Sequence, residues 1–267
     1  MDYRFYRVGV YGLGGAADST LYLRRVVNLG VWRLAVMGKE FGKPVIIVNF
    51  KTYLEGLGDK ALTLAKYAEK VSERTGVYIG VAAQPVDLRL LASSSSTPVY
   101  SQHVDGVGPG AYTGRIVAEA LLDAGAVGSL INHSERRLKL SEIDEVIRRL
   151  DGFGLISVVC SNTPPVSAAA AALNPDMVAV EPPELIGTGI AVSKAKPEIV
   201  SDTVEAIKRV NPRVTVLCGA GITRGEDVGA AIRLGSEGVL VASGVVKAGD
   251  PGRVLGELAE HAQSAMR

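Results

Sequence analysis

The chain has 267 residues, of which 47% are hydrophobic and 21% are charged, with 29 Lys+Arg against 28 Asp+Glu. This near balance of charge gives no overall field that would draw the protein to nucleic acid or to an anionic membrane surface. Since no run approaches the roughly 18 consecutive apolar residues that span a bilayer, we expect a soluble single-domain protein with neither nucleic acid nor membrane as a partner.

The first 36 residues differ in composition from the rest of the chain. They carry five arginines and two acidic residues, and no clean helical or strand period runs through them. Such a segment could be a transit peptide, but it contains little serine. We favour the interpretation that Met37 is the true initiator and that residues 1–36 are an extension outside the domain. Met37 leads directly into the first predicted strand. The folded domain would then comprise residues 37–267.

After Pro44, short β-branched runs alternate with amphipathic or alanine-rich stretches. This alternation predicts parallel strands joined by crossover helices. The predicted strands are Val45–Phe50, Val77–Ala82, Val99–Gln102, Ala126–Ile131, Leu155–Cys160, Met177–Val180, Val214–Cys218 and Gly238–Val241. Eight strands of this kind close a barrel, so the sequence predicts the α/β fold class and a (β/α)8 barrel.

Helical patterns lie between most of these strands. The clear ones are Asp59–Arg74, Gly114–Ala124, Ser141–Leu150, Lys194–Val210, Gly225–Leu234 and Gly252–Ala262. Weaker patterns follow Pro85 and Pro165, and we expect a single helical turn at each.

Polar side chains suited to catalysis follow several predicted strands. Asn49 and Lys51 lie at the end of the first strand and Gln102 at the end of the third, while His133 follows the fourth and Glu181 the sixth. In parallel barrels chemistry occurs at the carboxyl ends of the strands, so we expect these side chains to meet at one rim. A carboxylate, a histidine and a lysine there supply a base, a hydrogen-bond donor and a fixed positive charge, which suits proton abstraction next to a carbonyl.

Each of these side chains also has an ordinary explanation. Glu181 could be a solvated carboxylate, His133 a helix cap and Lys51 one of many surface lysines. Their joint placement at the same end of the predicted barrel, in consistent strand order, favours a functional site.

Neither metal nor disulfide chemistry is expected. The three histidines and two cysteines show no zinc-type spacing. Cys160 and Cys218 each end an apolar run, where a small buried thiol is common, and this fits a reducing cytoplasm.

Three glycine-containing turns follow strands six, seven and eight. They are Gly187-Thr188-Gly189, Gly219-Ala220-Gly221 and Ala242-Ser243-Gly244. The glycines could serve only to shape turns, but backbone N–H groups at these positions are also where barrels bind phosphate.

Three segments of the sequence resemble the triosephosphate isomerase family. They are Asn49-Phe50-Lys51, Asn132–Arg136 and Val180–Gly189, and the resemblance covers Pro44 to the C-terminus, with details such as Val216–Ile222 similar to archaeal members. It implies a TIM barrel that interconverts D-glyceraldehyde 3-phosphate and dihydroxyacetone phosphate through an enediolate, in glycolysis and gluconeogenesis. It also implies triose phosphates as ligands, no cofactor, no metal, and a cytoplasmic homo-oligomer, with a tetramer favoured over a dimer.

The resemblance further implies the role of each site residue. Glu181 would be the catalytic base, His133 the electrophile that polarises the carbonyl, Lys51 the electrostatic clamp, and Glu135 the support of Lys51. The substrate-binding residues would be Asn49, Phe50, Lys51, Ile186, Gly187, Gly221, Ala242 and Ser243.

The pattern departs from the family at the phosphate turns. Many relatives carry serine where Gly221 stands and Gly-Gly where Ala242-Ser243 stands, although backbone N–H donors survive both changes. Residues Pro182–Val192 would form a lid over the site.

Two other functions are compatible with the predicted barrel. One is that of another phosphate-binding barrel, such as an isomerase or synthase of tryptophan or histidine biosynthesis. The other is that of a catalytically silent barrel that binds sugar phosphates.

Overall fold

The computed structural model describes residues 41–182 and 196–267. The expected extension at residues 1–36 therefore lies outside the described residues. The described strands are β1 Val45–Asn49, β2 Tyr78–Ala83, β3 Val99–Ser101, β4 Gly128–Ile131, β5 Ile156–Ser161, β6 Met177–Val180, β7 Thr215–Cys218 and β8 Gly238–Val241.

These strands are parallel and close into a barrel in chain order. The seam is closed where β8 pairs with β1, with Val45 opposite Gly238 and Val48 opposite Val241. The predicted (β/α)8 barrel is thus confirmed, and the predicted strand bounds agree with the observed ones to within two residues.

The helices surround the barrel. They are α1 Gly58–Thr75, α2 Leu88–Ser94, α3 Ala118–Ala124, α4 Leu140–Gly152, α5 Pro164–Ala172, α6 Pro197–Val210, α7 Gly225–Arg233, α8 Ser243–Val246 and α9 Pro251–Ala265. A 3-10 turn at Leu54–Gly56 follows β1. Neither this turn nor the short helix α8 was predicted.

Four helix predictions need correction. α6 begins at Pro197, later than the predicted start at Lys194, because Lys196 has φ −147° and ψ 67°, outside the helical region. α3 begins at Ala118 instead of Gly114, because Gly114 has φ +87°, which lies outside the helical region. α2 and α5 are longer than the single turns expected, with seven and nine residues. α5 gains a defined start from Thr163, whose side chain accepts a hydrogen bond from Val166 N–H.

The strands separate two hydrophobic layers. Val45 and Ile47 face the barrel interior, whereas Ile46 and Val48 contact the layer beneath the helices, as the two-residue side-chain period of a strand requires. The barrel interior also holds Tyr78 and Tyr100, whose hydroxyl oxygens lie 2.6 Å apart, and burial raises the pKa of both phenols.

Both cysteines are free and buried, as expected for thiols that end apolar runs. Cys160 belongs to the barrel interior and Cys218 to the layer beneath the helices. Among the helices of the described residues, none combines the length and apolar character needed to cross a membrane.

Candidate active site

A cleft opens at the carboxyl ends of the strands. It is lined by Asn49, Lys51, Tyr53, His133, Glu181, Gly219, Ala220, Gly221, Ile222, Thr223, Leu240, Val241, Ala242 and Ser243. The barrel thus brings together the side chains expected to act as base, electrophile and clamp with the glycine turns after β7 and β8.

Lys51 enters the cleft from a left-handed backbone. Its φ is +49°, and its N–H donates to Asn49 Oδ1 at 2.9 Å, which fixes the turn after β1. The Lys51 ammonium donates to Glu135 Oε1, also at 2.9 Å. The side chain of Lys51 is 13% exposed and that of Glu135 is 59% exposed, so the lysine charge faces the cleft while its partner lies at the rim.

His133 is placed by the residue before it. Asn132 has φ +60°, and its side chain donates to Cys160 O at 2.9 Å and accepts from Leu138 N–H at 2.8 Å. This backbone turn directs the imidazole into the cleft, where His133 is 7% exposed.

The tautomer of His133 follows from its neighbours. Nδ1 accepts a hydrogen bond from Glu135 N–H at 3.2 Å, so the neutral ring carries its proton on Nε2. Nε2 lies 3.3 Å from Glu181 Oε1. The residues after His133 form a turn closed by a hydrogen bond from Arg136 N–H to His133 O at 2.8 Å, and α4 begins only at Leu140.

Glu181 follows β6 and is 4% exposed. Its N–H donates to Ser161 O at 2.7 Å, which extends the β5–β6 pairing by one residue and fixes the origin of the side chain. Oε2 is buried and accepts no hydrogen bond from any of the described residues. A buried carboxylate oxygen without a protein donor is available to take a proton from a ligand in the cleft.

The turns after β7 and β8 form the opposite wall. Gly221 has φ +71°, a conformation that glycine adopts without strain. α8 begins at Ser243, and the first N–H groups of a helix have no partner inside it. Gly244 packs against the other turn, since an added Cβ would lie 3.0 Å from Ile222 O.

Among the predicted substrate-binding residues, one lies away from the cleft and two lie outside the described residues. Phe50 is fully buried in the layer beneath the helices and does not line the cleft. Ile186 and Gly187 lie outside the described residues, as does the expected lid beyond Pro182.

The side chains that line or adjoin the cleft without having been predicted include Cys160 and Tyr53. Cys160 lies against the Glu181 carboxylate, and burial, followed by that negative charge, raises the pKa of its thiol. Its position at the end of β5 was the available signal. Tyr53 lines the cleft, and Lys247 Nζ lies 4.1 Å from the centre of its ring. The sequence offered no comparable sign of that pair, because its members are almost two hundred residues apart.

His103 takes no part in the cleft. It is buried beside Asp105, with Nε2 and Oδ1 separated by 3.2 Å, and burial lowers its pKa. Among the described residues there is also no group of three His, Cys, Asp or Glu side chains that could hold a metal ion.

The sequence and structure were compared with those of known proteins. Residues 44–260 match the family described as triosephosphate isomerase. A triosephosphate isomerase of Archaeoglobus fulgidus is 59% identical over 214 residues, covering 80% of this chain and 96% of that protein. One of Methanosarcina barkeri is 55% identical over 217 residues, covering 81% and 98%.

A solved structure shows the same fold at low sequence identity. The crystal structure of triosephosphate isomerase from Bartonella henselae covers 83% of this chain and 100% of its own, with a TM-score of 0.67 and 17% identity. At that identity the likeness concerns the fold alone.

Proposed function

This chain belongs to the triosephosphate isomerase family, and we propose that its cleft interconverts D-glyceraldehyde 3-phosphate and dihydroxyacetone phosphate with Glu181 as the base. The observation that carries this proposal is the pairing of two buried groups in the cleft. Glu181 Oε1 and His133 Nε2 lie 3.3 Å apart, so a carbonyl compound that lies against both groups would contact a base and a proton donor at once.

Glu181 performs the carbon chemistry. Its carboxylate removes a proton from the carbon next to the carbonyl. The electron pair of the broken C–H bond forms a C=C bond while the π pair of the carbonyl moves to its oxygen, which gives an enediolate. Return of the proton to the neighbouring carbon completes the isomerisation. Burial of Glu181 keeps water from competing for the proton.

His133 and Lys51 stabilise the charge that develops on oxygen. The Nε2–H group of His133 donates to the carbonyl oxygen and moves protons between the two substrate oxygens. The Lys51 ammonium supplies a fixed positive charge that Glu135 holds at 2.9 Å. Asn49 fixes the turn that carries Lys51. The reaction moves only protons, so these side chains account for it without a cofactor.

The phosphate group is bound by backbone donors. Gly221, Ala242 and Ser243 line the wall opposite Lys51, and the first turn of α8 directs unpaired N–H groups there. The family resemblance supports Ile186 and Gly187 as further substrate contacts. Phe50 lies in the layer beneath the helices and not in the cleft.

The test is a coupled assay on glyceraldehyde 3-phosphate that follows formation of dihydroxyacetone phosphate. We expect rapid conversion by the wild-type protein and a loss of about 10²–10⁴-fold in turnover for Glu181→Gln, the usual contribution of a general base. Glu181→Asp, which retracts the carboxylate, should lower turnover while largely sparing KM. Glu260→Gln on the exposed face of α9 is the matched control.

Two outcomes would contradict the proposal. A folded wild-type protein without activity would favour the catalytically silent barrel. Full activity of Glu181→Gln would assign the base to another residue.

We further propose that the chain forms a cytoplasmic homo-oligomer, a tetramer in preference to a dimer. Support for an interface comes from Leu54, Val86 and Tyr112, which follow the adjacent strands β1, β2 and β3 and are 74%, 82% and 51% exposed. A second apolar area at Val166 on α5 and Val210 on α6, which are 43% and 47% exposed, offers the further contact that a tetramer requires. Sedimentation equilibrium should give the mass of four chains, and a monomer would contradict the proposal.

A further inference from the structure

Gln102, which follows β3, extends its side-chain amide across the ends of β1 and β2. Its Nε2 lies 2.8 Å from Lys51 O, 3.2 Å from Ala82 O and 3.3 Å from Asn49 Oδ1. Gln102 is partly buried and does not line the cleft. We propose that Gln102 is a positioning residue for the isomerisation, because it holds the backbone of Lys51 in the conformation that directs the ammonium into the cleft. This inference rests on the proposed function.

The partners of Gln102 fix the orientation of its amide. Lys51 O and Ala82 O are backbone carbonyls, which can only accept a hydrogen bond, so the NH₂ group must face them. The assignment of nitrogen and oxygen at this side chain is therefore determined by its surroundings. A residue of similar size without a donor could not replace these contacts.

Lys51 needs such support because its backbone is in the left-handed region, at φ +49°. This region is unfavourable for any residue with a Cβ. Asn49 Oδ1 accepts from the N–H group of Lys51 at 2.9 Å, and Gln102 donates to its carbonyl oxygen at 2.8 Å. Side-chain amides thus hold the peptide groups on both sides of the Lys51 Cα.

Gln102 also orients Asn49, the residue that holds the N–H group of Lys51. Its Nε2 donates to Asn49 Oδ1 at 3.3 Å, the same oxygen that accepts from Lys51 N–H. Loss of the Gln102 amide would therefore free the carbonyl side of Lys51 directly and loosen the N–H side through Asn49. The ammonium lies at the end of a flexible four-carbon side chain. Its position therefore depends on the direction in which the Lys51 backbone projects that side chain.

The first experiment measures steady-state kinetics of Gln102→Met, which keeps the length of the side chain and removes its donors. We expect kcat/KM to fall about tenfold or more, with a higher KM as well as a lower kcat, while the melting temperature stays close to that of the wild type. Gln263→Met is the matched control, since Gln263 on α9 donates the same kind of bond to Thr75 O at 3.1 Å. If Gln102→Met fails to fold, Gln102→Ala tests the loss of the same donors without an added charge.

A double-mutant cycle separates positioning from general stabilisation. In a Lys51→Met background, where there is no ammonium left to position, Gln102→Met should lower kcat/KM by less than about twofold. An equal loss in both backgrounds would overturn the inference, as would wild-type kinetics in a folded Gln102 variant. Absence of activity in the wild-type protein would instead overturn the proposed function.

Discussion

At the level of single residues, the position of Glu181 depends on a glycine in the neighbouring strand end. Gly219 directly follows β7, and a Cβ added there would lie 2.7 Å from Glu181 Cγ and 3.2 Å from Val180 O. Contacts that short require the neighbour to move. Because the Val180 oxygen belongs to a strand ladder, the Glu181 side chain is the part that would yield.

We therefore expect Gly219→Ala to reduce turnover without unfolding the protein. Displacement of a reacting group by about 1 Å can cost roughly 10²-fold in rate. The measurement is kcat together with the thermal melting curve. Gly249→Ala is the control, because nothing lies within 4 Å of an added Cβ there. Unchanged turnover in Gly219→Ala would show that Glu181 has room to accommodate the methyl group.

The sequence identified the residues of this site by their type and by their place after a strand. Lys51, His133 and Glu181 could be predicted because strand ends of a parallel barrel converge. The contribution of Gln102 could not, since it depends on a side chain that reaches over β2 to the end of β1. Phe50 was assigned to the substrate because of its neighbours in the chain, but alternation along the strand directs it away from the cleft.

At the level of elements, the turn between β4 and α4 depends on Asn132. A second asparagine, Asn174 after α5, has the same φ of +60°. The two differ in what their side chains hold. Asn132 binds Cys160 O and Leu138 N–H inside the barrel mouth, whereas Asn174 accepts from exposed Asn211 and Arg213 side chains.

This difference predicts that the same substitution lowers activity at Asn132 but not at Asn174. Glycine tolerates the left-handed backbone at either position. Asn132→Gly should nevertheless lower kcat/KM about tenfold or more and the free energy of unfolding by about 1–3 kcal/mol, because two buried hydrogen bonds that place His133 are lost. Asn174→Gly should leave kcat/KM unchanged. Urea unfolding and steady-state kinetics provide the two measurements, and equal kinetic effects would contradict the assigned role of Asn132.

Element bounds were less predictable than element identity. β-branched runs defined the strands, because such side chains fit the two-sided burial of a parallel barrel. The start of α3 was missed because Gly114 has a left-handed backbone and because Asp105 Oδ2 accepts from Ile116 N–H at 2.8 Å, which holds the preceding residues out of the helix. The second contact comes from a loop residue eleven positions earlier and has no local signal.

At the level of the whole molecule, Glu237 joins the parts that meet where the barrel closes. Its N–H donates to Val216 O at 2.7 Å, and its carbonyl accepts from Val45 N–H at 3.1 Å. Its carboxylate accepts from Lys208 at 2.8 Å and Val216 N–H at 3.1 Å, and it also pairs with Lys43. Burial alone would raise the pKa of this carboxyl group, but the donors from Lys208, Lys43 and Val216 bring it below its ordinary value.

A lowered pKa in the folded state means that the unfolded chain binds more protons as the pH falls. The stabilisation from Glu237 is therefore complete above the ordinary glutamate pKa and is lost as the pH falls through the lowered value.

We expect Glu237→Gln to lower the free energy of unfolding by about 1–3 kcal/mol near neutral pH, and the difference from wild type should shrink below about pH 4. Urea unfolding across this range tests it. Glu260→Gln, whose carboxylate lies 3.6 Å from exposed Arg74, should show little effect at any pH. A pH-independent difference for Glu237→Gln would contradict the assignment.

The same contacts lead to a prediction for the first 36 residues. Among the described residues, several groups from residue 41 onward fix the start of the barrel. Phe41 packs on Tyr78 with ring centres 6.1 Å apart, Lys43 pairs with Glu237, and Val45 N–H donates to Glu237 O at 3.1 Å. A chain that begins at Met37 keeps each of these contacts together with all residues from 44 to 260 that match the family.

We therefore expect a chain that begins at Met37 to fold, to melt within a few degrees of the full chain, and to isomerise glyceraldehyde 3-phosphate at the same kcat. Circular dichroism and the coupled assay would check this. An insoluble or unfolded product would assign residues 1–36 a structural role that closure of the barrel at Glu237 does not require.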